Sequence, residues 1–428
     1  MKLLVIGGGG REHAIISKLS ENPSVKKIYA APGNGGIAEL AECLPIKATD
    51  IKAIRDFAVA ESIDFVVVAP DDPLVLGAVD LLQKANIPCF GPNKAAAEIE
   101  GSKVFAKNLM QKYGIPTADF QVFDNAEAAL ASCRQAKKYP LVIKADGLAL
   151  GKGVLIAENI KQAEAAIISL MQDRIFGASG SRIVVEEFLT GPEVSVLCFT
   201  DGQTIVPMVS AMDHKRALDG DLGLNTGGMG VIAPNPFYTP EIAAVCQQTI
   251  FEPTIKAMAA EGRRFRGCLY FGLMLTADGA KVIEYNCRFG DPEAQTILPL
   301  LQTDLLTIMQ AIAADKLPEA DIKFSTDSAC CVVLASGGYP EKYPTGLPIT
   351  IGDIAPALLF QAGTKLENGR LVTAGGRVLN IVATAPNLTQ AVGEAYLACE
   401  KVHFDGCFYR RDIGLKAALA TGDVIIKE

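Results

Sequence analysis

Short, unbroken apolar runs alternate with segments of helical period through the first hundred residues. Residues 2–6 (KLLVI), 27–31 (KIYAA), 63–70 (IDFVVVAP) and 87–91 (IPCFG) read as strands, and residues 12–20 and 74–85 as helices. Strands that are apolar at every position, rather than every second one, are buried on both faces, the pattern of a parallel sheet covered by helices. An open, doubly wound α/β domain is expected here. Residues 91–118 (GPNKAAAEIEGSKVFAKNLMQKYGIPTA) read as one long helix bounded by Pro92 and Gly114, with Pro116 as a stop. A domain boundary is placed near residue 100.

The pattern then changes. YPLVIKA, GVLIA and RIVVEEFL are short strands flanking a helix at about residues 162–171. Between residues 194 and 285, EVSVLCFT and KVIEYN read as antiparallel strands with turns at TDGQ and TADGA, and a helix follows over about 292–314. From about residue 326 a strand-rich segment begins with DSACCVVLAS and carries glycine turns at SGGYP, ENGR and AGGR. The chain thus reads as a multidomain α/β and α+β protein: a doubly wound unit over 1–100, a central unit over 101–326, and a small strand-rich unit over 327–428.

Composition narrows the function classes. A net charge of −8 over 428 residues argues against a general nucleic-acid or membrane surface, while leaving room for local basic pockets. Eleven scattered cysteines form no C-x-x-C pair, and three histidines make a zinc site of ordinary spacing an unsupported reading. Free thiols in a large chain point to a reducing, cytoplasmic compartment. The apolar run after Met1 is too brief for a signal segment, and no stretch reaches transmembrane length.

Four stretches carry candidate chemistry. VIGGGGREH (5–13) is a strand entering a glycine turn and a helix, which suits a phosphate as well as it suits a tight structural turn. The third glycine of the dinucleotide fingerprint is missing, since Glu12 or His13 stands there, and no acidic residue ends the next strand. KADGLALGKGV (144–154) resembles a P-loop with three residues instead of four between Gly147 and Gly151, and with Gly153 where the hydroxyl belongs. Lys144 ends an apolar strand there, while Glu186 and Glu187 end another and Glu193 begins the next. In KVIEYNCRFGDPEAQ (281–295), strand alternation puts Glu284 and Asn286 on one face as two oxygen ligands suited to magnesium, with Arg288 beside them and Asp291 after the turn. MDHKRALDGDLGLNTGGMG (212–230) gathers Asp213, His214, Lys215 and Arg216 before a glycine turn, a small-anion site or lid rather than a nucleic-acid surface.

Together these motifs, with SKVFAK, AGTK, TAGGRVLN and YRRDIG, resemble the ATP-grasp superfamily and, within it, the glycinamide ribonucleotide synthetase family, over essentially the whole chain. The resemblance implies a doubly wound N-terminal domain, central ATP-grasp lobes with a mobile lobe at about 120–190, and a small C-terminal domain. It implies that Lys103 and Lys144 contact ATP phosphates under a loop from Gly147 through Gly151 to Gly153. Lys152 of that loop is the less certain lysine. Glu186, Glu187 and the backbone near Leu189 would serve the adenine, and Glu193 the ribose. Glu284 and Asn286 would hold Mg²⁺ or Mn²⁺. Gly9, Gly10, Arg11, Glu12 and Asp71 would contribute to the 5-phosphoribosylamine site, and Asp213, Lys215, Arg288 and Asp291 would surround glycine. The implied enzyme is a monomer.

Two departures from the family pattern stand out: Asp71 in PDDPL replaces a usual glutamate, and Leu224 a usual proline. Three rival readings stay open at this point. They are another ATP-grasp ligase or carboxylase, a nicotinamide-dependent dehydrogenase using the first domain, and a silent nucleotide-binding regulator.

Overall fold

The computed structural model describes residues 1–148, 153–173 and 180–421. Strands β1 (Lys2–Gly7), β2 (Lys27–Pro32), β3 (Glu42–Cys43), β4 (Phe65–Val68) and β5 (Cys89–Phe90) form a parallel sheet in the order β3-β2-β1-β4-β5. Side chains alternate across a strand, so β1 feeds two cores. Leu4 and Ile6 pack with Ile54 and Ala58 of helix α2 (Ile51–Ala60), whereas Leu3 and Val5 pack with Ala14, Ile15 and Leu19 of helix α1 (Gly10–Ser20). The doubly wound reading holds.

Several helices are shorter than the periodicity implies. The segment at 74–85 divides into α3 (Asp71–Leu76) and α4 (Ala78–Lys84) at Gly77, whose φ of 95° is left-handed and ends a helix. The long helix expected over 91–118 is α5 (Lys94–Gly101) followed by α6 (Lys103–Tyr113). Ser102 breaks it in an extended conformation and its side chain caps the Phe105 amide. The helix expected over 292–314 is likewise Glu293–Ile297, a 3-10 turn at Leu298–Leu300, and Leu305–Ala313 capped by Asp304.

Beyond α6, β6 (Phe120–Phe123), β7 (Leu141–Ala145), β8 (Val154–Ala157) and β9 (Ile183–Glu187) form an antiparallel sheet in the order β6-β9-β7-β8. Its core joins Ile143, Ala145 and Ile183 to Ala129, Ala163 and Ile167 of the helices Ala126–Gln135 and Ile160–Ile167. A second antiparallel sheet contains β10 (Glu193–Thr200), β11 (Ile205–Pro207) and two longer strands, Gly267–Thr276 and Gly279–Asn286. A third sheet joins the short strands Met212–Asp213 and Gly230–Ala233 to Ser328–Ala335, Arg377–Ala385 and Leu358–Gln361, so strands from both sides of residue 326 share it.

All eleven cysteines are unpaired thiols. Among the described residues no helix is long and apolar enough to cross a membrane.

Two buried histidines act as struts between distant segments. His13 Nδ1 accepts the Gln361 amide at 2.9 Å, and His214 bonds Gly230 O through Nδ1 at 3.1 Å while Nε2 accepts the Gly414 amide at 3.3 Å. Burial pushes both imidazoles down to about 4. The unfolded chain protonates near 6.5 and the folded chain does not, so stability is fully present above pH ~6.5 and is lost as pH falls towards 4. Each histidine contributes a loss of about 2 kcal/mol between pH 7 and pH 5. Urea midpoints should show His13→Asn, which keeps an acceptor for Gln361, losing about 2 kcal/mol less than the parent chain over that interval. Equal losses would show that His13 plays no part.

Candidate active site

A cleft of about 930 Å³ runs between the sheets and is walled by residues from each of the four stretches that carry candidate chemistry, and by none from AGTK or YRRDIG. At one end lie β7, β9 and α6. Lys144 Nζ sits 3.1 Å from Glu186 Oε2 and donates to Ile283 O at 2.9 Å. Lys107, on α6, reaches the same carboxylate oxygen at 3.0 Å and donates to Thr117 Oγ1 at 2.7 Å. Burial pushes Lys107 down to about 8 even though Glu186 opposes the shift. Glu186 Oε1 is buried with no hydrogen-bond partner among the described residues, which fits an amino group arriving from a ligand. Glu187 pairs with Lys281 at 3.1 Å, and Leu189 and Glu193 continue the wall. Lys103, the first residue of α6, donates to Gly147 O at 2.8 Å, and burial holds its ammonium below the ordinary lysine value. Gly153 lies on the wall, whereas Gly151 and Lys152 fall outside the described residues.

The middle of the cleft is built by the strand Gly279–Asn286. Opposite it, Gly272 pairs with Glu284 and Leu273 with Val282, which leaves Ile283 as a bulge residue. The bulge turns the Ile283 carbonyl towards Lys144 and leaves Glu284 and Asn286, two residues apart beyond it, on the cleft wall. Lys215 Nζ stands 3.3 Å from Glu284 Oε1 and 3.4 Å from Glu193 Oε2. Lys215 holds Glu284 down to about 2 against the effect of burial, with Lys144 and Lys103 adding to it. A carboxylate kept ionised beside an amide oxygen is a donor set for a hard divalent cation that retains water and phosphate ligands. Arg288 is buried against Glu100, 3.1 Å away, so its charge already has a partner.

The far end divides in two. On one side Arg11 and Asp71 line the cleft, but Gly9, Gly10 and Glu12 do not. The Glu12 carboxylate accepts the Gly9 amide at 2.6 Å and pairs with Arg11 at 2.5 Å. It lies where a Cβ on Gly7, whose φ is 120°, would stand. Gly10 rests against the Gln295 and Asn380 amides, so this glycine turn supports Arg11 from beneath. On the other side are Asp213, Lys215, Asp291 and Arg377. Burial, reinforced by Glu293, pushes Asp213 well above the ordinary carboxylate range. Asp291 is held below that range because Arg377 and Arg11 outweigh its burial. Gly228, at φ 116°, packs its turn so closely on Asp213 that a Cβ there would stand only 2.7 Å from Asp213 Oδ1.

Comparison with known proteins bears on which chemistry the cleft performs. Residues 1–100, 101–294 and 329–416 match in turn the N domain, the ATP-grasp (A) domain and the C domain of Phosphoribosylglycinamide synthetase. The chain belongs to this family.

The synthetase-family assignment covers nearly the full length. A Phosphoribosylamine--glycine ligase of Caldanaerobacter subterraneus subsp. tengcongensis is 46% identical over 414 residues, covering 96% of this chain and 99% of that protein. The chicken Trifunctional purine biosynthetic protein adenosine-3 is also 46% identical, over 97% of this chain and 42% of its own length. The crystal structure of Phosphoribosylamine--glycine ligase from Thermotoga maritima superposes with a TM-score of 0.85 at 35% identity, covering 96% of this chain and 100% of that one. Biotin carboxylase domains at 16% identity share the fold, with a TM-score of 0.74 for that of Hydrogenobacter thermophilus 2-oxoglutarate carboxylase.

The cleft also contains residues to which the sequence reading gave no role, although three of them, Lys107, Arg377 and Glu293, lie within its motifs. Lys107 shares Glu186 with Lys144, Glu100 underlies Asn286 and Arg288, and Arg377 donates to the Asp291 and Gly227 carbonyls at 2.7 and 2.8 Å. Glu293 accepts from Ser195, which also bonds Tyr270. A spacing of one helical turn from Lys103 marks Lys107 in the sequence. The other three acquire partners only through the tertiary fold.

Proposed function

We propose that this chain ligates glycine to 5-phosphoribosylamine, giving glycinamide ribonucleotide, ADP and phosphate, as an early step of purine synthesis. The observation that carries this reading is near-full-length identity of about half to curated ligases, combined with one cleft on which the nucleotide, metal and carboxylate motifs converge. Eleven unpaired thiols support a cytoplasmic setting, and we take the working form to be a monomer.

The glycine carboxylate oxygen attacks the γ-phosphorus of ATP. The bond to the β-bridging oxygen breaks and ADP leaves, giving glycyl phosphate. The amine of 5-phosphoribosylamine then attacks the acyl carbon, the nitrogen sheds a proton, and inorganic phosphate departs. Lys103 and Lys144 stand where they would meet ATP phosphates, Glu186 Oε1 and the backbone near Leu189 serve the adenine, and Glu193 the ribose. Glu284 and Asn286 would hold Mg²⁺ or Mn²⁺, which when bound would supply Lewis-acid stabilisation to the transferring phosphoryl group. Asp213, Lys215, Arg288 and Asp291 orient glycine. Arg11 and Asp71 face the acceptor from the wall, with Gly9, Gly10 and Glu12 bracing them. Water would destroy the acyl phosphate, so closure over the cleft protects the intermediate.

The test is ADP release by the purified chain. Release that requires glycine and 5-phosphoribosylamine together, with glycinamide ribonucleotide as the organic product, is the expected result. Release driven instead by a different acid or amine would replace this reading with another ATP-grasp ligase. Nicotinamide binding in a titration would support the dehydrogenase reading.

A further inference from the structure

We propose that Glu100 is a positioning residue that sets which end of the Asn286 amide faces the reacting groups. This inference rests on the metal reading of Glu284 and Asn286 given above. Glu100 lies in the last turn of α5, and its side chain is only 6% exposed. Its Oε1 accepts Asn286 Nδ2 at 3.1 Å, and its Oε2 accepts the Cys287 amide at 2.7 Å. Asn286 Nδ2 also donates to the Tyr285 carbonyl at 2.9 Å.

A carbonyl can only accept, and so can an ionised carboxylate that also takes the Cys287 amide and the Arg288 guanidinium. The two ends of an asparagine amide have nearly the same shape, so hydrogen-bond partners decide the orientation. Here both partners demand the NH₂ end. The oxygen is left on the opposite edge of an amide that lines the cleft, and among the described residues nothing donates to it. Without Glu100 one of the two acceptors that fix the amide is lost, leaving only the Tyr285 carbonyl against a turn that presents a donor where a cation requires an acceptor. Glu100 stands 186 positions from Asn286, but only two residues before Ser102 and three before Lys103. The junction of α5 and α6 therefore both governs the metal ligand and delivers a phosphate lysine.

The experiment follows Mn²⁺ binding to the enzyme–ADP complex by the electron paramagnetic resonance signal of free Mn²⁺, so no turnover is needed. Glu100→Gln leaves one oxygen for the three donors that the carboxylate takes, Asn286, the Cys287 amide and Arg288, and is expected to weaken Mn²⁺ binding about tenfold or more, in line with other partners of metal ligands. Adding Asn286→Asp to Glu100→Gln restores a donor–acceptor pair with the roles exchanged. The double variant is expected to recover binding to within about threefold of the parent chain. Recovery larger than the gain that Asn286→Asp alone gives through its added charge is what a purely structural role for Glu100 would not produce. Thermal midpoints of all variants confirm folding, and Glu100→Asp, which keeps the charge, stands in if Glu100→Gln does not fold.

The outcomes separate the two readings. If Glu284→Ala and Asn286→Ala bind Mn²⁺ as tightly as the parent chain, the metal assignment falls and this inference with it. If those two weaken binding and Glu100→Gln does not, the positioning role alone is overturned. If Glu100→Gln weakens binding and the double variant fails to recover it, Glu100 acts through Arg288 or packing, and the proposal is again overturned.

Discussion

Glu284→Ala is expected to lower glycine-dependent ADP release about a thousandfold, since cation stabilisation of a transferring phosphoryl group is worth several kcal/mol. The carboxylate is embedded among Lys215, Lys144 and Lys103, which together hold it ionised down to about pH 2. Removing it deletes the one negative side chain of the proposed metal pair and leaves Lys215 with Glu193 and Lys144 with Glu186 as their remaining carboxylate partners. Glu284→Gln preserves shape and loses only charge, so the same loss is expected. That pairing separates an electrostatic role from a packing one. Single-turnover ADP formation is the measurement, and a rate within tenfold of the parent chain for either variant would sink the metal assignment.

The largest expected loss of stability is at Arg410. Its side chain is 1% exposed, with Nε at 2.7 Å from Asp412 Oδ1 and NH1 at 2.9 Å from Asp221 Oδ1, and it donates to the Arg216 carbonyl at 3.1 Å. Arg410→Met would leave two carboxylates facing each other without the cation between them. Breaking a buried pair by removing one partner costs about 3–5 kcal/mol, and the lower figure suits Asp221, which is one-third exposed. Urea unfolding followed by tyrosine fluorescence should show a loss of about 3 kcal/mol. The neighbouring Arg411 is exposed and lies over the Tyr409 ring, so Arg411→Met should change stability by no more than about 0.5 kcal/mol. Equal effects at the two arginines would refute the clasp.

Much of the fold was legible because burial imposes period. The parallel sheet declared itself through β1, whose residues 3–6 are all fully buried, a pattern that no half-exposed strand produces. Helix α2 was overlooked although Ile51, Ile54, Phe57 and Ala58 recur at helical spacing and pack on the core, the first and third of them only partly buried. Helix breaks escaped for a different cause. At Ser102 the side chain caps Phe105 and donates to Asp146 at 2.9 Å, and that second contact comes from a strand end 44 positions away. The site divides similarly. Glu284, Asn286, Lys144 and Asp213 stand at strand ends, where polar residues after apolar runs are conspicuous. Glu100 and Arg377 sit in ordinary helix and strand contexts, and only contacts spanning 186 and 86 positions bring them to the cleft.

The clasp on the hairpin Arg216–Asn225 has a consequence for how the chain is made. Residues Arg410–Gly414 hold it through Arg410 to Asp221, the Gly220 amide to Asp412, the Arg411 amide to Asp219, and the Gly414 amide to His214. These partners are 189 to 200 positions apart. At about 5–20 residues per second, a ribosome emits the loop bearing Asp213 and Lys215 roughly 10–40 s before its fastening. The sheet of β6 to β9 closes within residues 120–187 and can fold well before then. During synthesis that sheet is therefore in place while the hairpin behind Asp213 and Lys215 still waits for residues 410–414 to fasten it.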